Sequence, residues 1–229
     1  MVDLKKVGSF LKKSLLITLA AGAVYYAGLK QNPSFQELTP KVQQVVIQEH
    51  NQLDSLLKSI GDNCSKGNFK GAITNLENSK ILVNMLSKID PRFKELNSKI
   101  DQYRQLIGIA ETAISSINVN INIKNVSSNR LLDFVGGLKY EIDMRNIMAF
   151  SHEPHLSPEI KEVSLKVAQQ LHKEKLKWIN DLRSKISERK NRTSIPKEVQ
   201  ILGEALKIID QEVIPDLTSK IQIIDHELR

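Results

Sequence analysis

The chain is poor in cysteine, glycine, proline and aromatic residues, and each shortage excludes a class of protein. Its single cysteine, Cys64, cannot form an intrachain disulfide or supply a multi-cysteine zinc or iron–sulfur site. Its 10 glycines and 7 prolines make up roughly 7% of the residues, where about 12% is usual. So few turn-forming residues argue against a turn-dense all-β fold. With 41% hydrophobic and 26% charged residues, the chain is expected to fold.

The sequence also lacks the short motifs that mark common catalytic sites. It contains no Gly-x-x-x-x-Gly-Lys phosphate loop, no Gly-x-Gly-x-x-Gly dinucleotide turn, no Gly-x-Ser-x-Gly nucleophile elbow and no His-Glu-x-x-His zinc helix. We therefore predict a protein that is not an enzyme and that carries no cofactor.

A long uncharged run lies near the N-terminus, between lysines. The 16 residues Ser14–Leu29 carry no charge and would span about 24 Å as a helix, against a hydrocarbon core of roughly 30 Å. Flanking lysine stems and interfacial tyrosines extend this reach. We predict that residues 1–30 form a membrane anchor whose apolar and interfacial side chains are Leu15, Leu16, Ile17, Leu19, Val24, Tyr25, Tyr26 and Leu29.

Charge asymmetry predicts the orientation of this anchor. The positive-inside rule places the N-terminus in the cytoplasm and the body outside it, as a single-pass protein, because four lysines precede the run: Lys5, Lys6, Lys12 and Lys13. The first 30 residues carry a net charge of +4 out of +7 for the chain. The basic character therefore arises mainly at the membrane flank and does not favour a nucleic-acid partner.

Two alternatives to a retained anchor remain open. The small residues Ala21-Gly22-Ala23 suit a signal-peptide cleavage site, which would make the protein secreted. The apolar run continues past them to Ala27, which favours retention. The third interpretation is a buried or surface helix of a soluble protein.

The body has the periodicity of long helices. Thr39-Pro40, Asp90-Pro91, Ser157-Pro158 and Pro196 are typical helix starts. One seam has a period of 3.5 residues, as in a coiled coil: Phe93, Leu96, Ile100, Tyr103, Ile107, Ala110, Ile114, Ile117 and Ile121. The predicted fold class is all-α: the membrane helix or signal segment, then an elongated bundle of long antiparallel helical hairpins with coiled-coil-like seams.

Breaks in the periodicity predict the domain organisation. We expect a linker at 31–38, a hairpin plus coiled-coil-like helix at 39–121, a second linker at 122–130 and a C-terminal helical half at 131–229. Within these, Gly61 is expected to end the first helix in a left-handed conformation. Gly136-Gly137 is expected to weaken one helix spanning 131–150, and Pro215 to kink a helix that keeps one buried face from Val199 to Leu228.

Residues 53–89 contain the pattern Gly67, Phe69, Ala72, Ile73 and Leu76. This pattern resembles the start of the second helix of a tetratricopeptide repeat. No second copy follows at a 34-residue period, and a single repeat cannot bury its own faces. The resemblance therefore implies a helical hairpin but not the peptide-binding groove of that family.

A loop between two predicted helices holds the nearest approach to a metal site. Two histidines and two carboxylates fall within eight residues: His152, Glu153, His155 and Glu159. Such side chains can bind a divalent metal. Pro154 lies among them and a loop does not fix their geometry, so we interpret them as an exposed polar turn.

Six cations within 15 residues form a second candidate site, for anions: Arg183, Lys185, Arg189, Lys190, Arg192 and Lys197. The simpler interpretation is a solvated helix C-terminus.

Cys64 follows Asp62-Asn63 in a predicted polar loop, where an exposed thiol could form an intermolecular disulfide. His50, His172 and His226 are expected to be solvated on polar helix faces.

The sequence as a whole favours a non-enzymatic, membrane-anchored helical scaffold or adaptor that engages an unidentified protein partner outside the cytoplasm. One alternative is an exported helical-bundle binding protein released by signal cleavage. The other is a binder of nucleic acid or an anionic surface through the basic stretch 183–197. The sequence does not identify a small-molecule ligand.

Overall fold

The computed structural model describes residues 36–38, 40–117, 121–138 and 142–229, except for the side chains of 142–144. Within these ranges all regular structure is helical and no strand occurs, which confirms the predicted all-α helical bundle. The membrane anchor predicted for 1–30 lies outside the described residues. Among the helices that are described, none is both long and apolar enough to cross a bilayer.

Four of the helical segments begin with a proline, as the sequence predicts. The described elements are α1 (Pro40–Ser65), α2 (Phe69–Leu86), a 3-10 turn (Pro91–Glu95), α3 (Leu96–Ile117), α4 (Ser128–Gly137), α5 (Ile142–Ser151), α6 (Pro158–Arg192), α7 (Pro196–Ile208), a π-helical segment (Ile209–Val213) and α8 (Ile214–Glu227). The Asp90 and Ser157 side chains accept hydrogen bonds from the backbone N–H groups of Arg92 and Ile160. Each satisfies a donor that the first helical turn leaves unpaired.

Internal contacts divide the described residues into two compact units. The first comprises the residues up to 60 together with 73–101, and the second comprises 61–72 together with 102–229. The segment 122–130 therefore lies inside the second unit.

The first unit contains most of the α1–α2 hairpin. The Asn75 side-chain amide donates to the Ser59 hydroxyl across it at 2.8 Å. Leu53, Leu76 and Phe93 are among its buried side chains. His50 is buried too, with its ring edge-on to Phe93 at 5.6 Å. The prediction that His50 is solvated is therefore wrong, because this turn of α1 faces the apolar interior.

The second unit is organised around α6. Helices α5, α7 and α8 all pack on α6, and α4 packs on α7. Apolar side chains of α4, α6, α7, the π-helical segment and α8, with Ile123 of the loop before α4 and Leu138 just after α4, form one buried cluster, made of Ile123, Leu131, Val135, Leu138, Ile179, Leu182, Ile186, Leu202, Ala205, Ile209, Val213 and Leu217. Burial of aliphatic side chains at about 1.5–3 kcal/mol each is the main favourable term here.

Gly61 differs from its predicted role as a helix end. Gly61 lies inside α1, which continues to Ser65. A Cβ at position 61 would stand 3.1 Å from the Tyr103 hydroxyl and 3.3 Å from Val163 Cγ2, so this glycine serves close packing. The left-handed residue is Gly67, at φ +71°, and the hairpin turns there. Farther along, the helix predicted for 131–150 is described as α4, to Gly137, and α5, from Ile142, and residues 139–141 between them lie outside the described residues.

Pro215 is accommodated by the π-helical segment that precedes it. The Ile214 N–H donates to the Ile209 carbonyl, five residues back, and the backbone stays helical on both sides. The wider turn makes room where a proline ring would meet the carbonyl four residues earlier. Leu202, Ile209, Leu217 and Ile224 are buried while Pro215 itself is exposed, which confirms one buried face across the proline.

Replacing Ile107 by aspartate should destabilise the protein strongly. Ile107 is 3% exposed, so the variant loses apolar burial and must either bury a carboxylate or protonate it, a combined cost of at least about 3 kcal/mol. Urea unfolding measures this loss. Gln105→Asp, on the exposed side of the same helix, is the matched control and should change stability by no more than about 0.5 kcal/mol. Equal stability of the two variants would contradict the buried register of α3.

Candidate functional site

The loop between α5 and α6 disperses the four candidate metal ligands. His152 Nδ1 lies 2.7 Å from the Met148 carbonyl, and its Nε2 lies 3.1 Å from Glu227 Oε2 at the end of α8. His155 instead pairs with Glu153 at 3.2 Å. Glu159 accepts a hydrogen bond from the buried Tyr103 hydroxyl at 3.2 Å. In the described part of the chain, no group of three or more such side chains is placed to hold a metal ion.

These contacts have electrostatic consequences. The hydrogen bond to the Met148 carbonyl, helped by Glu227, raises the pKa of His152 above its ordinary value despite some opposing burial. Burial, together with Glu159, raises the pKa of Tyr103. His152 therefore links the end of α5 to α8, and Tyr103 links α3 to α6.

Carboxylates pair with most cations of the basic stretch. Lys185 bonds to Asp181 and Arg192 to Glu188, each at 2.5 Å and one turn apart on α6. Arg183 reaches Asp210 of the π-helical segment, also at 2.5 Å. Lys190 extends over Gly203 of α7, and Lys197 is exposed in the first turn of that helix. The stretch is thus a set of local pairs on one helix and its neighbours.

Arg189 differs from the other cations because it connects three segments. Its Nε and Nη2 donate to Glu198 Oε1 at 2.9 and 2.6 Å. Its Nη1 donates to the carbonyls of Ile123 and Val126 at 2.6 and 2.7 Å. Thr193 donates to the other oxygen of Glu198, and these hydrogen bonds from Thr193 and Arg189 lower the pKa of that carboxyl. Arg189 therefore holds the loop before α4 against α6 and α7.

A cavity of about 820 Å³ opens beside this guanidinium. Residues from the loop before α4 form one wall and residues from the C-terminal turns of α6 form the other. The lining consists of Ile121, Asn122, Ile123, Lys124, Lys185, Glu188, Arg189 and Arg192. It combines three cations of the predicted anion site with Lys124, Ile121 and Ile123, which the sequence analysis does not assign to that site.

The buried side of α6 contains two larger polar side chains: Lys175, which the sequence analysis does not single out, and His172, for which the predicted solvation is wrong. His172 is fully buried, with Nδ1 2.7 Å from the Ala168 carbonyl and no hydrogen-bond partner for Nε2 among the described residues. Lys175 is also buried, and its ammonium lies 4.7 Å from the centre of the Trp178 ring. Both lie on the helical row that continues through Ile179 and Leu182. The apolar periodicity of α6 could therefore have predicted that these two positions are buried.

Cys64 is buried in the last turn of α1, in contrast to the exposed loop predicted for it. Burial raises the pKa of its thiol to about 12. A buried, protonated thiol is a poor nucleophile. The geometry therefore does not favour an intermolecular disulfide at this position.

An unexpected apolar surface lies on α2. Ile73, Ile81 and Met85 are 40%, 59% and 48% exposed. Their spacing of eight and four residues places them along one side of the helix, while Leu76, Val83 and Leu86 are buried on the other. We call Ile73, Ile81 and Met85 the apolar ridge.

No protein family, curated protein or solved structure matches the chain.

The two neighbouring arginines of α6 should differ sharply on substitution. Arg189→Gln loses a half-buried ion pair and two charged bonds to backbone carbonyls. The carbonyl bonds alone should cost about 2 kcal/mol. Arg192→Gln loses only an exposed pair within one helix, worth about 0.5 kcal/mol or less. Chemical unfolding of both variants distinguishes the roles, and similar losses would show that Arg189 holds nothing together.

His172 should make stability depend on pH. Burial lowers its pKa below the ordinary 6.5, with the Ala168 carbonyl, Asp216 and Lys220 as smaller influences. The unfolded chain then takes up the proton at a higher pH than the folded one, so stability present above about pH 6.5 falls on acidification. His152 shifts in the opposite direction, so the contribution of His172 must be isolated by substitution.

We therefore expect the urea unfolding free energy to fall less between pH 7.5 and 5 in His172→Leu than in the wild type. His226→Gln, at an exposed position in α8, is the control and should keep the wild-type profile. An unchanged profile in His172→Leu would mean that His172 is protonated without cost in the folded protein.

Proposed function

We propose that the protein is a non-enzymatic scaffold or adaptor, anchored in a membrane by its N-terminal segment, whose helical body holds a protein partner outside the cytoplasm. The uncharged run Ser14–Leu29 behind four lysines supports the anchor and its orientation. The apolar ridge on α2 is the observation that carries the proposed interaction.

Exposed apolar residues are common, so their arrangement matters more than their number. The chain has seven large, well-exposed hydrophobic side chains in its described part, and five lie on α1 and α2. Three of them form the apolar ridge, opposite the buried side of its own helix. A line of apolar side chains on the outer face of a helix is the usual contact element of helix–helix and helix-in-groove recognition.

The surroundings of the ridge indicate the kind of partner. Glu77 lies on the same side of α2, between Ile73 and Ile81, and Lys80 and Lys88 are exposed beside it. The surface is therefore an apolar line with mainly basic edges. An amphipathic helix with an apolar stripe and acidic flanks complements it.

The pairing of the basic stretch bears on the alternatives. Four of its six cations form ion pairs with carboxylates. Arg189 also donates hydrogen bonds to two backbone carbonyls. This arrangement favours the adaptor over a binder of nucleic acid, which needs cations free to meet phosphates. An exported protein released by signal cleavage would use the same ridge, and mass spectrometry of the native N-terminus distinguishes the two.

Membrane attachment can be tested by fractionation. We expect the full-length protein to stay with the membranes after carbonate washing, because a spanning helix is held by its apolar length and not by surface charge. A chain beginning at Gln31 should be released into the soluble fraction. Recovery of intact protein starting at Met1 from the soluble fraction would refute the anchor.

Site-specific photocrosslinking in cells tests the ridge. A crosslinking amino acid at Ile81 should give one discrete protein adduct, and Ile73→Gln with Met85→Gln should abolish it while the thermal melt stays unchanged. The matched control is the same crosslinker at Ile223, which is 50% exposed on α8. A diffuse set of adducts equal to that from position 223 would refute a dedicated interaction surface.

A further inference from the structure

The cavity beside Arg189 has the chemistry of a ligand site that is separate from the apolar ridge. We propose that it binds an anionic amphiphile, with the acidic group at Lys124, Lys185 and Arg192 and the hydrocarbon chain against Ile121 and Ile123. Its volume of about 820 Å³ falls in the range of small-molecule pockets.

The cationic side chains at the rim can reorient toward a ligand at a low cost in free energy. Lys185 and Arg192 bond to carboxylates one turn away on the same helix, and their side chains are 56% and 72% exposed. Such exposed pairs contribute little, because solvent and salt screen them. Lys124 is exposed and forms no ion pair within the described ranges. An incoming carboxylate or singly charged phosphodiester can therefore recruit all three cations.

Arg189 and Glu188 limit what enters. The donors of Arg189 are already committed to Glu198, Ile123 and Val126, so this residue supports the wall without reaching for a ligand. Glu188 is the single carboxylate of the lining. It repels a second negative group, which favours ligands with one acidic end over polyanions.

The isoleucines decide between an amphiphile and a plain anion. Ile123 is only 7% exposed and Ile121 packs at the edge of the same buried cluster, so the cavity is apolar next to its cationic rim. Its lining contains no aromatic side chain on which a base could stack. A hydrocarbon chain gains contact with both isoleucines, which free phosphate cannot do.

Equilibrium dialysis with probes below their micelle concentrations tests the site. Full-length protein should bind dodecanoate and lysophosphatidylglycerol saturably, and lysophosphatidylcholine and inorganic phosphate much more weakly. Tighter binding of dodecanoate would indicate a free acid as the natural ligand, and tighter binding of lysophosphatidylglycerol a lipid headgroup. Either order supports the proposal, whereas equal binding of lysophosphatidylcholine overturns it.

Charge reversal and lysine labelling locate the bound probe. Lys124→Glu should weaken dodecanoate binding at least about tenfold by replacing one attraction with a repulsion, while Lys173→Glu, elsewhere on the exposed side of α6, should leave it unchanged. Bound dodecanoate should also protect Lys124 and Lys185, but not Lys173, from acetic anhydride. Because the N-terminal apolar segment can take up amphiphiles too, unchanged affinity in Lys124→Glu or absence of this protection overturns the cavity as the site.

Discussion

The second unit depends on one constraint: α6, a helix of 35 residues, must present a continuous buried side along most of its length to three neighbouring helices. A single stripe of side chains meets this demand, running from Ile160 near the N-terminus to Ile186 near the C-terminus. Where α5, α7 and α8 meet it, every side chain on that stripe has to be small, apolar or internally satisfied. His172 and Lys175 are the larger polar side chains on this stripe. His172 contacts the Ala168 carbonyl, and the Lys175 ammonium lies over the indole ring of Trp178.

The ends of this helix show two ways of attaching neighbouring segments to it. At the N-terminal end, Ser157 caps the first turn and Glu159 receives the Tyr103 hydroxyl. At the C-terminal end, Arg189 gathers two loop carbonyls and Glu198. Each attachment uses a hydrogen bond to a charged group, which gains strength and geometric specificity. The cavity lies beside this attachment, between the loop before α4 and the last turns of α6.

The two proposed surfaces have different physical characters. The apolar ridge lies on a regular helix, and its binding energy would come from apolar burial against another helix. The cavity lies between a loop and a helix end, and its selectivity would come from a few weakly engaged cations above an apolar wall. The first suits a protein partner and the second a small amphiphile.

Local rules in the sequence determined the helical class, the proline starts at Pro40, Pro91, Pro158 and Pro196, and the caps at Asp90 and Ser157, because these depend on neighbouring residues alone. The tertiary structure decided the rest. Gly61 follows the spacing of a helix end, yet its role is set by Tyr103 and Val163, which lie more than forty residues away. The four histidine and carboxylate candidates are adjacent in sequence, yet their partners on α3 and α8 draw two of them apart. Arg189 is one cation among six in the sequence, and only the folded loop supplies the two carbonyls that distinguish it. A periodic pattern reports which side of a helix is buried, whereas a site depends on which distant side chains share that side.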